Sequence, residues 1–163
     1  AGLEFDEQKV RDCMTPVSMV EAVSVHDSIG PLLLDNLHRT GHSRFPVISG
    51  DIHHVVGMLY AHDLIEAKSA EKDVREAMDK RVYYIHESHD LSRALHAFIK
   101  TRNHLFIVVN DYRETVGVLS LEDVLEVLIG HEIVDEFDQY ENIRAVAESN
   151  SHKNNSPKHH HDV

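Results

Sequence analysis

The chain has little of what an extracellular or membrane-spanning protein needs. It holds one cysteine, Cys13, so no internal disulfide can form, and a reducing compartment fits. No apolar run approaches the roughly 20 residues of a membrane span, and no signal peptide is visible. Basic residues are scarce: 16 Lys and Arg stand against 28 Asp and Glu, a net charge of −12 with His neutral. That balance argues against a nucleic-acid partner, which requires a basic footprint. It leaves room for a small anion held by one local cation. Gly-x-Ser-x-Gly, Walker and His-Glu-x-x-His motifs are all missing, so nothing marks a catalytic centre. Cys13, between Asp12 and Met14, reads as structural. Ala1-Gly2 reads as a processing remnant and the chain as a piece of something longer.

What is present is a repeat. Val10-Arg11-Asp12-Cys13-Met14-Thr15-Pro16 returns as Val74-Arg75-Glu76-Ala77-Met78-Asp79-Lys80, at an offset of 64. Ser43-Arg44-Phe45-Pro46-Val47-Ile48 returns as His104-Leu105-Phe106-Ile107-Val108-Val109 at 61, and Gly57-Met58-Leu59-Tyr60-Ala61-His62-Asp63-Leu64 returns as Gly117 to Val124 at 60. Ordered matches at a nearly constant offset indicate two tandem units of about 60 residues, too few for a solenoid. Two such units would pair face to face and share a core.

Each unit reads β-α-β-β-α. Strands are expected over Met19–Val25, Phe45–Ile48 and Val55–Leu59, then over Val82–His86, Phe106–Val109 and Val116–Leu119. The apolar spacing of Ile29, Leu33, Leu34 and Leu37, and of Leu91, Leu95, Phe98 and Ile99, predicts amphipathic helices. Asp27 and Asp90 are candidate N-caps, and Gly41 and Asn103 candidate C-terminal residues. Closing helices start at His62 and Leu121. A lead helix is expected to run from Leu3 through Lys9 into Val10. Residues 1–9 are thus a lead, 10–70 and 71–133 the two units, and 134–163 an acidic linker and disordered tail.

The stretch Gly117 to Val124 draws attention first. Ser120 stands where a strand becomes a helix, and Asp123 follows one turn later. This is either a capping box with an exposed acid, or a ribose-phosphate site. In the second reading the helix N-terminus takes the phosphate and the carboxylate the sugar hydroxyls. His53-His54, Glu132 with Asp135 and Glu136, and His159-His160-His161 match no standard metal spacing, so no metal site is assigned.

Met-Thr-Pro at the head of the repeat, Gly-His-Ser-Arg-Phe-Pro-Val in its middle and Gly-x-x-Ser-x-x-Asp at its end make the chain resemble a tandem pair of cystathionine-β-synthase (CBS) domains, a Bateman module, over Val10 to Ile133. Leu3-Glu4-Phe5, Arg102-Asn103-His104 and Thr115 to Glu126 add a likeness to the cytosolic part of CorC/hemolysin C-type, CNNM-like magnesium and cobalt transport proteins. The resemblance implies an α/β fold of two units with pseudo-twofold symmetry. It implies a regulatory module, not an enzyme, that senses AMP, ADP or ATP, with Mg²⁺ arriving on the phosphates as one option. It implies a homodimer and a cytoplasmic position beside a membrane domain absent from this chain. The alternative is a ligand-free dimerisation module of the same membrane protein.

Carried over residue by residue, the nucleotide site comprises Thr15, Ser18, Val20, Ser43, Arg44, Phe45, Pro46, His104, Val118, Ser120 and Asp123. Ser120 and His104 face phosphate, Asp123 the ribose, and Arg44 supplies the positive charge. A second, weaker site comprises Tyr60, Asp63, Lys80, Val82, Tyr84 and Asn103, with Tyr60 replacing Ser120 and intruding on a phosphate.

Overall fold

The structure, a computed structural model, describes residues 7–154. These divide into two compact units that meet between Leu125 and Glu126; the first contains both sequence repeats.

The first repeat opens on helix α1 (Val10–Cys13), strand β1 (Thr15–Pro16) and a 3₁₀ turn, Val17–Met19. It continues with β2 (Val23–Ser24), α2 (Pro31–Thr40), β3 (Arg44–Ser49), β4 (Asp51–Tyr60) and α3 (Leu64–Ser69). The second runs through α4 (Val74–Ala77), β5 (Tyr84–His86), α5 (Leu91–Thr101), β6 (Leu105–Val109), β7 (Thr115–Ser120) and α6 (Leu121–Asn154). The β-α-β-β-α order is therefore present twice.

Several local expectations need correction. The lead helix does not pass through Lys9, which is extended at φ −98°, ψ 153°; Leu3–Asp6 lie outside the described residues. The first strand shrinks to Val23–Ser24 because the 3₁₀ turn after Pro16 takes Val17–Met19, and its counterpart begins at Tyr84 instead of Val82. Asp27 does not cap α2. That helix starts with Pro31, whose missing N–H suits a first-turn position. Asp90 does cap α5, accepting from the Arg93 N–H at 2.7 Å. Gly41 ends α2 in the left-handed conformation, φ 72°. At the end of α5 that conformation falls to Arg102, φ 55°, and not to Asn103. Asn103 is buried, its side chain accepting from the Leu105 N–H at 3.1 Å. Within the expected linker and tail, residues up to Asn154 continue α6. Ala145, Ala147 and the Arg144–Glu148 ion pair at 3.6 Å favour helix there.

Two sheets result. One has order β1-β7-β6-β5 and the other β2-β3-β4. β1 stands at the head of the first repeat yet pairs antiparallel with β7 of the second, Thr15 opposite Val118 and Pro16 opposite Gly117. The mirror contact is present as well: Asp79, in the leading segment of the second repeat, exchanges hydrogen bonds with Met58 of β4 at 2.8 and 2.7 Å. Each repeat thus lends its leading segment to the other's sheet. Glycine permits the crossing. A Cβ on Gly117 would run into the Thr15 carbonyl and lie 2.8 Å from Met14 Sδ, and one on Gly57 would lie 2.6 Å from Met78 Sδ.

Val23, Phe45, Val47, Leu59 and Leu64 lead the core of the first repeat. In the second, Phe98 of α5 stacks on Phe106 of β6, ring centroids 4.0 Å apart. A third cluster joins Val55 and Met58 of the first repeat to Leu105, Ile107 and Val118 of the second. This is the shared core that two small units need in order to bury enough apolar surface.

Candidate functional site

The shared core sets the ends of β4 and β7 near each other, and two cavities open there. The smaller, about 130 Å³, is lined by Thr15, Met19, Val20, Glu21, His42, Arg44, Pro46, Leu105, Val118, Ser120 and Asp123. The larger, about 690 Å³, is lined by Ser43, Arg44, Tyr60, His62, Asp63, Ala77, Met78, Asp79, Arg81, Thr101, Arg102, Asn103 and His104. Arg44 lines both.

At the first cavity the helix terminus is built as a reciprocal cap. The Ser120 hydroxyl accepts from the Asp123 N–H at 3.0 Å, and the Asp123 Oδ2 accepts from the Ser120 N–H at 3.2 Å. The capping-box reading is therefore present. It does not exhaust Asp123, because a carboxylate has about four lone-pair positions and this cap occupies one of them. The arrangement fixes the carboxylate against the helix end, aimed by its own backbone.

Arg44 is held from the second repeat. Its Nη1 donates to Glu122 at 3.2 Å to both carboxylate oxygens, and its Nη2 lies 2.8 Å from His104 Nδ1. The arginine side chain is 20% exposed, so its planar fork is already ordered.

The larger cavity concentrates cations in an acidic protein. Arg44, Arg81 and Arg102 line it together with His62 and His104, against Asp63 and Asp79. Arg81 donates to Asp79 at 2.8 Å, and this bond holds the Asp79 carboxyl below its ordinary range. The Tyr60 hydroxyl is pushed up, chiefly by burial and then by Asp79. Tyr60 packs on the central cluster, its ring beside the His62 ring, centroids 5.5 Å apart.

Of the first set of sequence-selected residues, Thr15, Val20, Arg44, Pro46, Val118, Ser120 and Asp123 come together around the smaller cavity. Ser43 and His104 line the larger one. Ser18 is exposed and lines neither, and Phe45 is 0% exposed within the core of the first repeat. Of the second set, Tyr60, Asp63 and Asn103 line the larger cavity. Lys80, Val82 and Tyr84 line neither cavity. Val82 packs on the central cluster, and the Tyr84 hydroxyl donates to the Val55 carbonyl at 3.3 Å.

Met19, Glu21, His42 and Leu105 at one cavity and Asp79, Arg81 and Arg102 at the other were missed. The repeat carried a signal for Asp79: at an offset of 64, Thr15 falls on it. Among the described residues no three His, Cys, Asp or Glu side chains group so as to hold a metal; His159-His160-His161 lie outside them. No helix among those residues is long and apolar enough to cross a membrane. Ser88, His86 and Asp111 are linked by hydrogen bonds of 2.7 Å each, but Ser88 is exposed and lines neither cavity.

The family model described as CBS domain matches residues 10–70 and again 73–130. The chain belongs to the CBS domain family. The pair is similar to the magnesium and cobalt efflux protein CorC of Escherichia coli strain K12, with 34% identity over 148 residues. That match takes in 86% of this chain but spans only 48% of CorC. Among solved structures, the CBS domain of the bacterial CNNM/CorC family Mg²⁺ transporter in complex with ATP superposes with a TM-score of 0.71 at 28% identity, covering 77% of this chain and 90% of that one. A conserved domain of unknown function from Neisseria meningitidis MC58 matches with a TM-score of 0.68 at 31% identity, over 74% and 78% of the two chains.

Proposed function

We propose that this CBS pair binds an adenine nucleotide and thereby regulates a membrane protein that transports Mg²⁺ or Co²⁺. The observation that carries the reading is the likeness, over most of this chain, to a CBS domain of a CNNM/CorC family transporter in complex with ATP. The geometry supports it. Base and ribose sit in the smaller cavity, between Val20, Pro46 and Val118, with Asp123 accepting from the sugar hydroxyls. The phosphates pass Ser120 and Arg44 into the larger cavity, where His104, Arg81 and Arg102 meet them. At about 130 Å³ the smaller cavity is too small for a whole nucleotide, since ligand pockets run to several hundred Å³. Arg44, common to both cavities, joins them into one elongated site. Mg²⁺ accompanies the phosphates when the ligand is ATP, because it favours phosphate oxygens over an all-protein cage.

Regulation requires that the nucleotide bind one arrangement of the repeats better than another. Arg44–Glu122 and Arg44–His104 cross between the repeats, so a phosphate that recruits Arg44 acts on their contact. In this reading the module lies on the cytoplasmic face, pairs with a second copy through its helices, and adjoins a membrane domain.

Isothermal titration of AMP, ADP and ATP, each with and without Mg²⁺, tests the proposal. Saturable heat near one site per chain is expected, abolished by Asp123→Ala and strongly reduced by Asp123→Asn, which keeps a cap acceptor but loses the charge. Flat titrations of folded protein would leave the ligand-free dimerisation module, and sedimentation of the unliganded chain would then show a dimer.

A further inference from the structure

Beyond Glu126 the last helix leaves a row of large apolar side chains uncovered. Ile129, Ile133, Phe137, Tyr140 and Ile143 are 55%, 59%, 60%, 56% and 68% exposed. Their spacings of four, four, three and three place them in one sector about 120° wide, which is the pattern of a helix with a buried face. A contiguous apolar strip of this kind marks an interaction site more often than scattered surface residues do.

The edges of the strip carry one sign of charge. By the same helical spacing Glu132 lies on one edge and Glu141 and Glu148 on the other, and Glu136 falls inside the strip, between the rows of Ile129 and Ile143. Arg144 is the single Lys or Arg between Glu126 and Glu148, and it is already engaged, 3.6 Å from Glu148 and over the Tyr140 ring. Acidic residues on both edges of an apolar seam decide which partner is accepted. A second copy of the helix, parallel or antiparallel, would set acid against acid. An anionic membrane surface would be repelled as well. A helix with apolar residues at its seam and Lys or Arg beside them would satisfy both the strip and its edges.

We propose that this face of α6 is a docking surface for a basic amphipathic helix of a partner protein. The seam from Ile129 to Ile143 is about four turns long, enough to engage a partner helix of similar length.

The full chain is titrated, by fluorescence anisotropy, into a labelled synthetic peptide of about two heptads, the length of the seam, with Leu at the seam and Lys at the flanking positions. A peptide of the same seam with Glu at the flanks is the control. The expected result is saturable binding of the Lys peptide that weakens as salt rises, with no binding of the Glu peptide. In Ile133→Ser and Phe137→Ser, both at exposed positions, the Lys-peptide affinity is expected to fall about tenfold or more. Thermal melting of each variant verifies that the fold is intact. Equal binding by the variants would reduce the effect to bulk charge and overturn the proposal. Sedimentation showing that the chain self-associates through the strip, with Phe137→Ser abolishing that association and no peptide bound, would overturn it in favour of a second copy. Absence of binding to either peptide, with a monomeric chain, also overturns it.

Discussion

Arg44 of the first repeat and His104 of the second meet at 2.8 Å, guanidinium Nη2 to imidazole Nδ1. A guanidinium only donates, so Nδ1 accepts and the imidazole carries its proton on Nε2. The same arginine donates to Glu122 from its other terminal nitrogen. One cation therefore ties the closing helix and the head of β6 to the first repeat, at the point where the two cavities join. In the proposed function an arriving phosphate competes with Glu122 for it.

That competition has a sign. Glu122→Gln removes the rival anion, and nucleotide affinity is expected to rise about two- to fivefold, the size of a partly exposed ion pair. Titration calorimetry of wild type and variant in the same buffer measures it. Unchanged or weaker binding would place the phosphates elsewhere.

Arg102 holds a left-handed conformation at φ 55° that favours glycine and lines the larger cavity. Arg102→Gly is expected to stabilise the chain by about 1 kcal/mol by relieving that conformation. The same change is expected to weaken ATP about tenfold while AMP binding, which does not reach so far, stays near wild type. Chemical denaturation and calorimetry together read both effects.

The crossing of the leading segments depends on Gly117 and Gly57. Gly117→Ala meets the Thr15 carbonyl, which is backbone and cannot swing away, and is expected to destabilise by about 1–3 kcal/mol. Urea unfolding of Gly117→Ala and Gly57→Ala is the check. A neutral result at Gly117 would show that β1 can leave β7 without loss.

His89 supplies a pH dependence. Its Nδ1 is buried without a hydrogen-bond partner among the described residues, and burial, then Arg93 and His86, lowers its pKa from 6.5. The unfolded chain therefore takes up the proton first as pH falls. The His89 contribution to stability is present above 6.5 and is lost progressively as pH drops through the lowered folded value. Thermal melts between about pH 7.5 and 5 are expected to fall more steeply for wild type than for His89→Gln, which takes up no proton. Parallel slopes would remove His89 as the cause.

Much of this was legible along the chain. The repeat offsets located both β-α-β-β-α units, because a buried strand and an amphipathic helix each impose a short-range period that survives in sequence. Gly41 and Asp90 were readable as caps since their roles depend on their own backbone and nearest neighbours. Asp27 was misplaced because Pro31 offered α2 a better start, and Asn103 because its amide was needed for the Leu105 N–H in the interior. Lys80 and Tyr84 line neither cavity, while their chain neighbours Asp79 and Arg81 line the larger one, a distinction that no local pattern in the sequence carries.

The sequence by itself determined the fold class, the doubling and the family, since these rest on local periodicity and on motifs repeated in order. It also determined the Ser120–Asp123 cap, which needs only one turn of helix. Tertiary structure decided what those pieces surround. The exchange of leading segments brings Thr15 to Val118 and Asp79 to Met58. Arg44 lies 78 residues from Glu122 and 60 from His104, separations that no local pattern encodes. Tyr60 likewise lines the larger cavity while packing on the central cluster, whose members come from both repeats.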